Sequence, residues 1–250
     1  MGQLFAHRFA QNIFLRVGGK SVQYKNICKG RFLRRPNRFI AIVDIEGEEI
    51  TCHVKNTGRC RELLVEGATV FLEDCGENTN RKTRYDLIAV YKGRLLVNMD
   101  SQAPNKVVGE YLPILFPDIT MARPETKYIN SRFDFYLETE QKKIFLEVKG
   151  VTLEENGVAR FPDAPTERGI KHMQELISCM KDGYEAYIIF VIQMEGMKRF
   201  EPNIATHPAF GEVLKEAEDA GVKIRCLGCS VEPDRLRISY KIPYYLTQTS

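Results

Sequence analysis

The chain has 250 residues, 44% of them hydrophobic, enough for one large domain or two modest ones. Charged residues make up 28% and the net charge is only +3, so bulk charge does not by itself point to nucleic acid. No apolar run approaches the roughly eighteen residues of a membrane span, so none is expected. The 7 cysteines, an odd number with no secretory signal, suit free thiols in a reducing cytoplasm.

Met1–Lys20 contains Arg and His but no acid, and could pass for an amphipathic targeting peptide. A second reading is that it is not translated. Gly18-Gly19-Lys20 can be encoded by a purine-rich ribosome-binding stretch, and Val22 by a GTG start. We expect the natural chain to begin near Val22, with residues 1–24 a non-native or disordered extension.

From Lys25 to Asn98 the pattern is β. Arg38–Ile45 and Glu49–Val54 read as a hairpin around Gly47. Asn56-Thr57-Gly58 is a loop and Arg61–Leu64 a single helical turn. Thr69–Glu73, Tyr85–Tyr91 and Arg94–Asn98 give further short strands. This set suits a small OB-type β-barrel over residues 25–100, with a sandwich as the alternative.

After Asp100 the rhythm changes. Asn105–Leu115 reads as a helix interrupted by Pro113, and residues 131–138 and 143–151 as strands. Ile170, Met173, Leu176, Ile177 and Met180 recur at helical spacing, predicting a helix over Thr166–Asp182 that stops at Gly183. Ala186–Ile192 is a continuous apolar run, as in a central strand covered on both faces. Pro208–Ala220 is a helix and Val222–Leu227 a strand. The order predicts a three-layer α/β domain with a mixed sheet over residues 101–250, so α+β overall. Cys226-Leu-Gly-Cys229 is a lone CxxC; a zinc site would need a second ligand pair, and the expected reading is a strand-end coincidence.

Phe145-Leu-Glu-Val-Lys-Gly-Val151 carries Glu147 and Lys149 on one face of a strand. Pairing it with Ser131–Glu138 across the polar connector Thr139–Lys142 sets Asp134 opposite Glu147, Phe133 opposite Val148, Phe135 opposite Leu146 and Leu137 opposite Ile144. That register makes one face wholly apolar, and a one-residue slip would bury Asp134 among phenylalanines. Two adjacent carboxylates repel unless something compensates, and a divalent cation such as Mg²⁺ or Mn²⁺ would do so. Lys149 could then position a water or stabilise developing negative charge. This arrangement is similar to that of metal-dependent phosphodiesterases of the PD-(D/E)XK class, and Glu125 could add a further carboxylate. The plainer alternative is a solvated salt bridge. Arg168, Lys171, His172 and Glu175 form the polar face of the following helix, with Asp163 or Thr166 as its N-cap.

Basic residues gather in three places: Arg31, Arg34, Arg35 and Arg38 with Phe32 and Phe39; Lys55, Arg59 and Arg61 around Asn56-Thr57; and Arg81, Lys82 and Arg84. Together they suggest a salt-sensitive nucleic-acid footprint with little sequence reading. No helix-turn-helix is visible.

Arg34-Arg-Pro-Asn-Arg-Phe39, Asn56-Thr-Gly58, Glu77–Lys82, Glu125–Tyr128, Ser131–Phe135, Leu146–Leu153 and especially Arg160-Phe-Pro-Asp-Ala-Pro-Thr-Glu-Arg-Gly-Ile-Lys-His172 carry a resemblance to the sugar fermentation stimulation protein A (SfsA) family. It spans Asn26 to Leu246. The resemblance implies an N-terminal OB-type domain, a restriction-endonuclease-like domain, DNA binding and a regulatory link to sugar use. It also implies an active site at Glu125, Asp134, Glu147 and Lys149. Lys55 departs from the proline expected before Asn56. The functions in view are a Mg²⁺-dependent nuclease on DNA or RNA and a non-catalytic DNA-binding regulator; the oligomeric state is open, a dimer included.

Overall fold

A computed structural model of the chain describes residues 21–56, 58–77 and 81–246. Residues 1–20, expected to be untranslated or a targeting peptide, lie outside the described residues, as does Thr57.

The first sheet element by sequence, β1 (Val22–Gln23), is followed by six strands of the barrel: β2 (Ile27–Asn37), β3 (Ile40–Ile45), β4 (Glu48–Val54), β5 (Thr69–Asp74), β6 (Tyr85–Lys92) and β7 (Leu95–Asn98). They pair in the order β4-β3-β2-β5-β6-β7, and a parallel pairing of β4 with β6 closes the OB-like barrel. The alternation of β3 puts Ala41 and Val43 inside. Its turn to β4 holds Glu46 and Gly47 at positive φ, as a two-residue hairpin with right-handed twist requires. Arg61–Leu64 makes the expected single turn, with Leu64 N–H donating to the Cys60 carbonyl.

The second unit holds α1 (Ala103–Leu115), β8 (Ile119–Tyr128), β9 (Ser131–Thr139), β10 (Lys143–Val151), β11 (Leu153–Glu155), β12 (Val158–Phe161), α2 (Glu167–Lys181), β13 (Glu185–Ile192), β14 (Arg199–Pro202), α3 (Pro208–Asp219), β15 (Lys223–Glu232) and β16 (Arg235–Lys241). Its main sheet is mixed, in the order β1-β16-β15-β13-β10-β9-β8, and β11-β12-β14 form a small second sheet. Val107 and Val108 of α1 pack with Leu146, Val148, Ile189 and Val191 on one face. Met173 and Leu176 of α2, with Val213 and Leu214 of α3, pack with Phe145, Ile188 and Phe190 on the other. The continuous apolar run of β13 thus serves both helical layers, as expected of a central strand.

Three expectations are corrected. Val22–Tyr24 are part of the fold, not an extension: β1 pairs with β16, and Val22 and Tyr24 are buried on the α1 side. Two apolar side chains and a bare strand edge on β16 explain the docking. Pro113 does not interrupt α1: it lies exposed in the last turn, and only two helical residues follow it before the helix ends at Leu115. Finally, β1, β2, β8, β11, β12, β14 and β16 add strands beyond those expected, and β2 carries Arg31, Arg34 and Arg35 on a barrel strand. Cys226 and Cys229 lie buried in β15 as free thiols. No described helix is long and apolar enough to cross a membrane.

Candidate active site

The β9–β10 hairpin keeps the predicted register for the pairs from Lys143↔Glu138 to Leu146↔Phe135. There the ladder stops. The expected backbone pairs Asp134↔Glu147 and Phe133↔Val148 do not form. Instead, the Val148 N–H donates to Asp134 Oδ2 at 2.7 Å, a side chain taking over a backbone donor that the parted strands would leave unsatisfied. Phe133 turns to the α2 side, against Tyr128, Phe145 and the His172 ring, whereas Phe135 faces Gly109 of α1. The single apolar face therefore ends at Phe135.

Asp134 is held from both sides, since Asn105 Nδ2 of α1 donates to its Oδ1 at 2.6 Å. Burial, reinforced by the charge of Glu147, pushes the Asp134 carboxyl up to about 6. Glu147 is 3% exposed. Its Oε1 accepts from Lys149 Nζ at 2.5 Å and lies 2.5 Å from His172 Nδ1. Burial pushes its pKa up, but the His172 bond and the Lys149 charge outweigh this and hold it below the usual carboxylate range. Arg168 Nε points at His172 Nε2 at 3.4 Å, so Nε2 accepts and Nδ1 carries the proton toward Glu147. Oε2 of Glu147 is buried with no hydrogen-bond partner. Two neighbouring carboxylates are thus pushed apart in pKa, one toward the neutral form and one kept ionised.

His172, expected on the outer polar face of its helix, is instead buried against β9 and β10. Thr166 is the N-cap of α2, its Oγ1 accepting from Gly169 N–H at 3.0 Å. Asp163 lies in the loop before it. A Cβ on Gly58 would come within 2.6 Å of Asp163 Oδ2, so the barrel loop and this loop approach closely only because residue 58 is glycine. Glu125 sits on β8 between the pairs Pro124↔Phe135 and Thr126↔Phe133, level with Asp134 but exposed, at φ +52°. It is not brought into a compact donor set. Among the described residues the one group of three close-packed donor side chains is Glu73, Cys75 and Asp86 in the barrel, where Arg81 already engages Cys75 and Asp86. Asn105 and Gln193, both tied to this region, carried no sequence signal.

Several basic residues named for nucleic acid already have partners within the protein. Arg35 donates to the carbonyls of Arg38, Asn56, Gly58 and Arg59, and clamps the loop. Lys55 is largely buried, 2.8 Å from the fully buried Asp100. Arg34 pairs with Glu49, Arg81 with Asp86 and Arg84 with Asp74, all three arginines remaining exposed at the surface. Asn56 Oδ1 accepts from Gly58 N–H. Arg31, Arg38, Arg59, Arg61 and Lys82 stay exposed. Arg38, Arg59 and Arg61, with Arg35, line a groove of about 600 Å³. It shares Gly58, Ala164 and Pro165 with a cleft of about 290 Å³ that reaches Gly150, next to Lys149.

Residues 33–99 match the family model described as the SfsA N-terminal OB domain, and residues 102–235 match that of the sugar fermentation stimulation protein RE domain. A sugar fermentation stimulation protein homolog of Clostridium beijerinckii is 58% identical over 219 residues, 87% of this chain and 96% of that one. A homolog of Desulfitobacterium hafniense is 58% identical over 216 residues, 86% of this chain and 94% of its own. The solved structure of Pyrococcus furiosus SfsA in complex with Ca²⁺ superposes with a TM-score of 0.81 at 28% identity, covering 90% of this chain and 99% of that one. Two domain models, end-to-end relatives and a shared fold agree: the chain belongs to the sugar fermentation stimulation protein (SfsA) family.

Proposed function

We propose that the protein is a divalent-metal-dependent nuclease acting on DNA or RNA, with Asp134, Glu147 and Lys149 as its reacting centre. The observation that carries this reading is the buried Glu147 carboxylate, whose Oε2 has no partner, beside an Asp134 raised to about 6. A hard divalent cation fits both features, because it satisfies an orphaned oxygen and offsets like charges. A relative solved with Ca²⁺ accords with such an oxygen donor set.

Asp134 and Glu147 would hold Mg²⁺ or Mn²⁺, which supplies Lewis-acid stabilisation of the phosphate and a lowered pKa for a bound water. Asn105 and the Val148 N–H fix the Asp134 carboxylate in place. His172 fixes Glu147, leaving Oε2 free to bind. Lys149 Nζ, bonded to Glu147 Oε1 one alternating position along the strand, would orient water or meet charge developing on the phosphate. Arg38, Arg59 and Arg61 hold phosphates in the adjoining groove, and Phe39, 52% exposed beside Arg38, offers a stacking surface.

A second reading has one observation behind it. Lys149 already balances the Glu147 charge and His172 Nδ1 lies at hydrogen-bond distance from it, so the constellation is self-consistent without a cation. That suits a non-catalytic DNA-binding regulator. The dividing experiment incubates the protein with labelled single-stranded and duplex DNA and RNA in Mg²⁺, Mn²⁺ or EDTA. Metal-dependent cleavage is expected; salt-sensitive binding without cleavage in any metal supports the regulator and contradicts the nuclease.

A further inference from the structure

The β8–β9 hairpin ends the main sheet at its outer edge and carries two locally unfavourable features at its tip. Ile129 occupies the turn at φ +48° and is 55% exposed. A β-branched residue in the left-handed region is strained, and asparagine or glycine would relieve it. Next to the turn, Lys127 and Arg132 are directly paired across the two strands, both exposed. Like charges facing each other across a ladder destabilise it. An isolated lysine on an edge strand is explained by protection against edge pairing. That reason covers neither the arginine set opposite it nor the exposed isoleucine at the apex.

The tip is also placed with respect to the candidate site. Lys171 Nζ of α2 donates to the Asn130 carbonyl at 3.2 Å, and the next residue, His172, bonds Glu147. Asp134 lies four residues along β9 from Asn130, roughly 13 Å at strand rise. Arg123, also exposed, continues the basic line down β8. Together these residues present a basic arm with an apolar apex, on the side of the site served by α2.

We propose that this hairpin tip is a nucleic-acid contact: Lys127 and Arg132 bind the phosphate backbone, and Ile129 enters the base stack as a wedge. The proposal rests on the reading of the protein as one that binds nucleic acid. A polyanion removes the repulsion between the two cations. An apolar side chain pushed between base steps is a known way of unstacking them. The two facing cations and the strained isoleucine then have a common partner.

The test uses the full chain in Ca²⁺, with fluorescein-labelled duplex DNA for affinity and 2-aminopurine within the duplex for unstacking. Two variants are compared with the unaltered protein: Lys127→Ala with Arg132→Ala, and Ile129→Asn. Both should melt at or above the unaltered temperature, because each removes a local strain. The double variant is expected to lessen the slope of log K against log salt by about 1.8, two phosphate contacts' worth. Ile129→Asn is expected to keep the slope and to lose the rise in 2-aminopurine fluorescence. If both variants match the unaltered protein in slope and fluorescence, the hairpin contact is overturned while nucleic-acid binding stands. If the unaltered chain shows no salt-dependent binding, the proposed function falls and the hairpin contact with it.

Discussion

Nδ1 of His172 lies 2.5 Å from Oε1 of Glu147, and the other oxygen of that carboxylate has no partner. The histidine and the carboxylate come from α2 and β10, so the helix packs a donor directly against a buried charge. Replacing His172 by Ala leaves Glu147 with Lys149 alone. We expect a stability loss of about 1–3 kcal/mol in urea titration. Calorimetric titration with Mn²⁺ should show affinity weakened by about 10–100-fold, as for other residues that orient a metal ligand.

Asp134 gives a pH signature. Its folded pKa of about 6 stands above the ordinary carboxylate value, so the folded state holds a proton that the unfolded chain releases. The contribution is fully present below about pH 4 and is lost as pH rises through about 6, amounting to about 3 kcal/mol. Asp134→Asn removes the ionisation, and the Asn105 amide can turn to keep its bond. Metal-free urea melts from pH 4 to 7 should show the variant gaining on the unaltered protein as pH rises. A constant difference would contradict the buried, repelled carboxylate.

Lys55 and Arg59 should behave oppositely although both are cations near one loop. Lys55→Ala takes the cation from Asp100, which has no exposure and keeps only the neutral donors Tyr24 and the Gln102 N–H, and is expected to cost about 3 kcal/mol. Arg59→Ala should leave the melting temperature within a degree or two and lessen the salt slope of nucleic-acid binding by about 0.9. Thermal melts and anisotropy titrations on the two variants separate structural from contacting cations.

Gly150→Ala tests the seat of the site. A Cβ there would meet Gln193 Oε1 at 2.5 Å and Pro104 Cγ at 2.8 Å. Gln193 is fixed by bonds to Asn98 and Asp100, and Pro104 opens the helix that carries Asn105. Overpacking of this kind costs about 1–3 kcal/mol. Calorimetric metal binding should weaken as well, because α1 must shift and Asn105 with it.

What was legible in the sequence follows from how local each signal is. The periodicity of Ile170, Met173, Leu176 and Met180 and the Thr166 cap sufficed for α2, and the unbroken run of β13 for a central strand. The register of β9 on β10 was legible up to Phe135, where alternation still decides it. Beyond that point a side-chain acceptor, Asp134, outcompetes the ladder, and periodicity has no means of showing it. Strand β8 was missed because an edge strand with Pro124 and exposed charges lacks an apolar pattern. Val22–Tyr24 dock on a strand more than two hundred residues away, beyond any local signal. The burial of His172 and the internal commitment of Arg35 and Lys55 depend on tertiary partners that composition does not reveal.

The most direct measurement is the rate of Mg²⁺-dependent cleavage of labelled nucleic acid by the unaltered protein, Asp134→Asn and Lys149→Met, with Mn²⁺ and nucleic-acid binding measured on the same samples. The account predicts cleavage by the unaltered protein alone, weakened metal binding in Asp134→Asn, and intact metal and nucleic-acid binding in Lys149→Met. Cleavage that persists undiminished in both variants would contradict it.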